Sequence, residues 1–344
     1  MITAVAVWAA SRRSFETSVP LVEHLHYARA HSIGSSSIHA CFLDGFDTLG
    51  DAYKGSLQDA GYTLHDMGET YRSYALRFSS LSRFGDYEMK CFLRWLVLDD
   101  CFGHAPLLHI DGDVVLCESP ESLMKRFVGL TFVLQGCPAF THVEDASWFT
   151  EYREALSIFE EDIEPYSRTA YELLPNAELA KGNWLGFRDR KIISSDQDLI
   201  RHLLSISALP QATAEEIRNR IGDDIMFENP LWPLTYYDDL APVSYERKSG
   251  FDYLNDKKVL MWHFQSGFCE YLNRVMWMRR YLPCRAAKPV PLTPSAIERR
   301  YRRLTTWAGY RPLDRNELYR RFLLDGDFSP VFNRSTWWQE GVFA

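Results

Sequence analysis

The feature that most constrains this chain is a short apolar run that repeatedly ends on acids. Residues 106–118 read Pro-Leu-Leu-His-Ile-Asp-Gly-Asp-Val-Val-Leu-Cys-Glu, an apolar strand closed by Asp111-Gly-Asp113. An earlier run from Ser37 to Leu43 ends in the same way at Asp44 and Asp47. A first strand from Met1 should end near Ala9, Ala10 and Ser11, and another covers Tyr62 to Leu64. Between these runs lie helical patterns: Val22, Leu25 and Tyr27; Tyr53 to Ala60; and Glu88 to Leu98, where Phe92, Trp95, Leu96 and Val97 are apolar and Lys90 and Arg94 stand one turn apart. Strands alternating with helices predict an α/β chain with a mixed, mostly parallel sheet flanked by helices. Such a sheet keeps its ligand crevice outside the carboxyl ends of its strands. Acids at those ends are therefore candidate site residues.

Two carboxylates at a strand end can chelate one hard divalent cation, and the cation can neutralise a diphosphate leaving group. The same letters also describe a surface turn with two solvated aspartates, since Asp-Gly is a common turn signal. The surroundings favour the site. A helix precedes the strand, and Ser119-Pro120-Glu121 starts another after it, with Ser as cap, Pro at the first helical position and an acid in the first turn.

This order of helix, strand, Asp-x-Asp and helix resembles the glycosyltransferases of GT-A fold, whose arginine-bearing helix precedes the metal-binding strand. Lys181-Gly182-Asn183-Trp184-Leu185-Gly186, followed by Ser195-Asp196-Gln197-Asp198-Leu199, is similar to segments of the retaining galactosyl- and glucosyltransferases related to glycogenin and of the lipopolysaccharide galactosyltransferases. Val259-Leu260-Met261-Trp262-His263-Phe264-Gln265-Ser266-Gly267 resembles their late strand. The resemblance implies a metal site of Asp111, Asp113 and His263 holding Mn2+ or Mg2+, with Asp196 and Gln197 beside the reacting face of the donor sugar. In that role the Gln197 carboxamide would steady positive charge at the anomeric carbon, and Asp196 would be the base of an inverting transfer. It also implies donor contacts from Ala9, Ala10, Ser11, Asp44, Arg94, Gly112, Asn183 and Gly267. One departure stands out: Gly267 leads into Phe268-Cys269-Glu270, where those relatives place Lys-Pro-Trp. The cation that meets the diphosphate must then be Arg94, Lys181 or Arg274. Residues alone allow plainer readings, with His263 a satisfied core histidine and Asp196 to Asp198 a helix cap and its first-turn acids.

A net charge of -8 argues against general nucleic-acid binding. The seven cysteines are odd in number, show no C-x-x-C and sit largely in apolar runs, which suits reduced core thiols. The amino terminus lacks a basic segment before its short apolar run, and no stretch approaches the ~20 apolar residues of a membrane helix. A cytoplasmic enzyme, peripheral at most on a cytosolic membrane face, is the expectation. Residues 141–180 read as an insertion lying over the sugar site, with an acidic cluster at Glu160, Glu161, Asp162 and Glu164 that suits a solvated face. After Gly267 arginines interleave with Trp277, Tyr281, Tyr301, Trp307, Tyr310 and Tyr319. The expected division is a catalytic domain over 1–285, its nucleotide part about 1–118 and its acceptor side about 119–285, and a basic helical C-terminal extension over 286–344. That extension would either meet anionic lipid or pair with the acids of the catalytic domain.

The expected activity is metal-dependent transfer of a sugar from a nucleoside-diphosphate donor, UDP-sugar foremost, to a carbohydrate, lipid-linked or protein acceptor, with the anomeric configuration retained. A sugar-nucleotide nucleotidyltransferase is the main alternative, but Trp8-Ala9-Ala10-Ser11-Arg12-Arg13 lacks the glycines of its loop. A phosphatase of the haloacid-dehalogenase type fits less well, because Asp44 and Asp47 are not two apart and Asp113 lacks the following Gly-Thr. An inactive glycan-binding protein on a transferase fold is the non-enzymatic alternative.

Overall fold

The computed structural model describes residues 2–8, 21, 38–103, 106–173, 192–227 and 244–264, together with 313, 317–318 and 320–324. Ala9, Ala10, Ser11, Lys181, Asn183, Gly267, Arg274, the helix expected around Leu25 and nearly all of the basic extension lie outside the described residues. Of the extension, Leu318 and Phe322 are buried.

The strands in chain order are β1 (Ile2–Trp8), β2 (Ile38–Asp44), β3 (Tyr62–Asp66), β4 (Leu107–Ile110), β5 (Val114–Leu116), β6 (Phe132–Val133), β7 (Phe140–Val143), β8 (Ile225–Phe227), β9 (Tyr245–Lys248), β10 (Phe251–Leu254) and β11 (Lys257–His263). The helices are α1 (Asp51–Ala60), α2 (Gly68–Arg77), α3 (Asp86–Phe102), α4 (Pro120–Arg126), α5 (Ser147–Glu161), α6 (Ile163–Leu173), α7 (Asp196–Ser205) and α8 (Ala214–Ile221). They fall into two compact units. The first comprises Met1–Phe15, Ser36–Gly112 and Pro120–Arg220; the second comprises Glu16–Ser35, Asp113–Ser119 and Ile221–Ala344. The boundary between the two units passes through the Asp-x-Asp motif, between Gly112 and Asp113.

The first unit is α/β, as expected, with a mixed sheet in the order β3-β2-β1-β4-β7-β6. β1, β2, β3 and β4 run parallel, while β7 is antiparallel to both β4 and β6. Ala40, Cys41, Phe42 and Leu43 of β2 are all buried, and so are all four residues of β4. Unbroken burial of this kind belongs to strands covered on both faces. The cover includes α3, in which every residue from Met89 to Leu98 is buried. α3 starts after Gly85 at φ 96 and stops at Gly103, whose φ of 61 leaves the helical region.

The described part of the stretch read from the sequence as an insertion, residues 141–173, belongs to the first unit and contributes to its core. Thr141, His142 and Val143 belong to β7, hydrogen-bonded to β4, and α5 drives Trp148, Phe149, Tyr152, Leu156 and Phe159 into the same core as α3. The Tyr152 hydroxyl donates to the Phe92 carbonyl at 3.0 Å. Glu161, Asp162 and Glu164 are exposed, the solvated face expected, while Glu160 accepts from the Ser80 amide and Glu164 pairs with Arg83 at the surface.

In the second unit β11 is antiparallel to β5 and β10 and parallel to β8, with β9 beyond β10. Two-residue turns join β9 to β10 and β10 to β11, each with both central residues at positive φ: Ser249 and Gly250, then Asn255 and Asp256. That geometry matches the right-handed twist of hairpin strands. Asp252, fully buried, accepts from Tyr245, Arg247 and Trp262, so its charge is met by three donors.

Candidate active site

Strand order decides where a ligand can enter the first unit. β2 and β3 lie to one side of β1 and β4 to the other, so the order reverses between β1 and β4, and crevices in open α/β sheets form at the carboxyl ends beside such a reversal. Asp111 follows β4 at that end, its amide donating to the Ala139 carbonyl at 2.8 Å. Asp44 ends β2, in register with Trp8 of β1.

α3 brings two cations to this edge. Arg94 donates through Nη1 to Asp111 Oδ1 at 2.5 Å, and through Nε and Nη2 to Asp196 Oδ2 at 3.0 and 2.7 Å. Trp95 Nε1 donates to the same Asp196 oxygen at 3.0 Å. Arg94 and Asp196 are 4% and 3% exposed. Burial works against the charge on Arg94, but Asp111 and Asp196 hold its pKa well above the ordinary arginine value. Burial raises the Asp196 pKa against the pull of Arg94 and Trp95. An oxygen enclosed by three donors is poorly placed to take a proton from an acceptor hydroxyl. The geometry makes Asp196 a counter-charge that orients Arg94. Arg94 in turn faces two carboxylates, with three of its nitrogens engaged there.

One turn earlier, Lys90 is buried, with Nζ 3.1 Å from Asp44 Oδ2 and 2.5 Å from Asp86 Oδ2. The Asp44 side chain is about half exposed, so it can meet a ligand while a buried ammonium fixes it from below. His109 of β4 is fully buried against Trp95, with Nδ1 3.2 Å from the Pro138 carbonyl. Burial, and next the charge of Arg94, lower its pKa to about 3, so it is neutral at physiological pH. Gln197 and Asp198 lie in the first turn of α7, where the Ser195 hydroxyl accepts from the Asp198 amide at 3.2 Å. The capping expected there is present. The Gln197 carboxamide faces Arg201, one turn further along.

In the second unit the antiparallel pairing of β5 and β11 sets His263 opposite Val114, and the Phe264 amide donates to the Asp113 carbonyl at 2.7 Å. This brings His263 Nε2 to 3.4 Å from Asp113 Oδ1. Two ligands of one cation, each about 2.1 Å from it at near-right angles, stand on the order of 3 Å apart. A carboxylate with an imidazole is a donor pair of the kind that suits Mn2+, and at 3.4 Å the two side chains also contact each other directly. Among the described residues no group of three or more His, Cys, Asp or Glu side chains is arranged to hold a metal. Gly112 lies in the turn between the two aspartates.

No family model and no curated protein matches this chain. Among the described residues no helix is long and apolar enough to cross a membrane. The five described cysteines, Cys41, Cys91, Cys101, Cys117 and Cys137, are free thiols.

Sequence reasoning missed Lys90, His109 and Arg201 as members of the site. Lys90 and Arg201 each had a signal, since each lies one helical turn from a candidate: Lys90 from Arg94 and Arg201 from Gln197. His109 had none beyond its place two residues before Asp111.

Proposed function

We propose that the protein is a metal-dependent glycosyltransferase of GT-A type, moving a sugar from a nucleoside-diphosphate sugar to a carbohydrate, lipid-linked or protein acceptor. The observation that carries this reading is the Asp113–His263 pair of the second unit, 3.4 Å apart; within the first unit, Asp111 follows β4 beside the reversal of strand order. Parallel strands in the order β3-β2-β1-β4 support a nucleotide crevice at that edge.

Asp113 and His263 would hold the cation, which when bound supplies Lewis-acid stabilisation of the departing diphosphate. The remaining work belongs to the chain itself. Asp44, anchored by Lys90, offers a carboxylate that accepts hydroxyls of a ribose. Asp111 is held in one orientation by Arg94, and Arg94 by Asp196, so the edge of the crevice is preorganised.

The test is release of nucleoside diphosphate from a panel of nucleotide sugars, with Mn2+ and with chelator, by the full chain and by Asp113→Ala. Activity should require Mn2+ and be lost in the variant while circular dichroism stays unchanged. Equal turnover in chelator, or by Asp113→Ala, refutes the reading.

A further inference from the structure

Gln197 sits where a site residue was expected, but its surroundings alter what it can offer a ligand. In the orientation that satisfies its hydrogen bonding, the carboxamide oxygen accepts from Arg201 Nη1 at 3.2 Å and Nη2 at 2.6 Å. The third guanidinium nitrogen, Nε, donates to the Gly136 carbonyl at 3.1 Å. Arg201 is thus a brace between the second turn of α7 and the turn Leu134–Gly136 that precedes β7.

The brace is tightly fitted. Gln135 and Gly136 are successive residues at positive φ, 53° and 68°, a conformation that L side chains rarely adopt. A Cβ at Gly136 would stand 3.0 Å from Arg201 Cγ and 3.3 Å from Nε. A side chain there would require the arginine stem to give way by a few tenths of an ångström, on a backbone whose φ of 68° already favours glycine.

The geometry points to Arg201 as the positioning residue of Gln197, fixing its carboxamide so that Gln197 acts on a ligand through its N–H2 group and not through its oxygen. This inference rests on the reading of Gln197 as a site residue of the transferase. With the oxygen facing the guanidinium, the other end of the amide is the hydrogen-bond donor, N–H2. A donor does not stabilise positive charge at an anomeric carbon. It recognises an acceptor, namely a hydroxyl oxygen of the donor sugar or an oxygen of its diphosphate. The guanidinium also draws electron density from the amide oxygen, which makes the N–H2 a stronger donor.

A double-mutant cycle in the full chain tests this, read as kcat and KM for nucleoside-diphosphate release. Arg201→Met should lower kcat/KM about 10- to 100-fold, since small misplacements of a site group cost that much. The same substitution should have little effect in a Gln197→Ala background, because the arginine acts through the glutamine. Gln197→Glu, which can still pair with Arg201 but carries no N–H2, should fall as far as Gln197→Ala. Additive losses from Arg201→Met and Gln197→Ala would make the arginine merely structural and overturn its assignment. Retained activity in Gln197→Glu would show that the oxygen is the working atom and overturn the donor role. The same cycle run by urea unfolding reports the contact without any activity. A wild-type chain that turns over no nucleotide sugar removes the transferase reading itself, whereas an active wild type with additive effects removes only the role of Arg201.

Discussion

Replacing Asp196 by alanine should show how much of the site is held by one buried counter-charge. Its Oδ2 receives Arg94 Nε and Nη2 and Trp95 Nε1 at 3.0, 2.7 and 3.0 Å, and both members of the ion pair are almost completely buried. Water cannot easily take the place of the carboxylate. Breaking a buried pair from one side costs about 3–5 kcal/mol, and a stranded indole N–H adds about 1–3 kcal/mol. Arg94 keeps Asp111 as a partner, which offsets part of the first figure. The expected loss is about 4 kcal/mol, a large fraction of the roughly 5–15 kcal/mol that holds most domains together. With a urea dependence of about 2 kcal/mol per molar, the unfolding midpoint should fall by about 2 M. Asp196→Asn, which keeps the size and one acceptor oxygen, should lose about half as much. Urea unfolding at pH 7, followed by circular dichroism and tryptophan fluorescence, measures both. A midpoint for Asp196→Ala within about 0.3 M of wild type would refute the counter-charge account.

Two other expectations can be checked in the same way. His202 is buried, and burial lowers its pKa to about 4, so as pH falls below the ordinary value of about 6.5 the unfolded chain takes up a proton that the folded one refuses. The stability present above pH 6.5 should thus fall by about 3 kcal/mol by pH 4, and His202→Leu should flatten that acid limb; an unchanged slope in the variant rules the explanation out. Ser195→Ala removes the acceptor of the Asp198 amide and should cost about 1 kcal/mol, with Ser195→Asp restoring most of it in thermal melts. A loss as large in the aspartate variant as in the alanine one would mean that the hydroxyl does not act as a cap.

What the sequence made legible was local. The apolar runs of β2 and β4 and the spacing in α3 identify their own elements, and Ser195 before three polar residues marks a helix start. β7 escaped because two of its four residues, Thr141 and His142, are polar yet fully buried, with Thr141 Oγ1 bonded to the Pro138 carbonyl and His142 Nδ1 to that of Leu130. A bond to a neighbouring carbonyl leaves no trace in hydropathy. The apolar stripe of α5 showed that one face is covered but not that α3 lies against it. At the site, types of residue were readable and their partners were not. Arg94 and Asp196 lie 102 residues apart, and nothing in either neighbourhood announces the pair. An aspartate at a helix start reads equally as catalyst, cap or counter-charge until the residue facing it is known.

The strand pairing that joins Asp113 to His263 makes the assembly of the cation pair an event in time. Asp113 leads into β5 and His263 closes β11, so neither has the other beside it until the later strand has been made and has docked antiparallel on the earlier one. Long-range pairings of this kind form slowly, because the chain between them must be ordered before the contact repays it. On a ribosome the two aspartates emerge before the imidazole that, on the proposed reading, completes their cation site. Selective uptake of Mn2+ would then mark completion of the second unit, and a truncation that ends before β11 should fold its parallel sheet while lacking any capacity to discriminate Mn2+ from Mg2+.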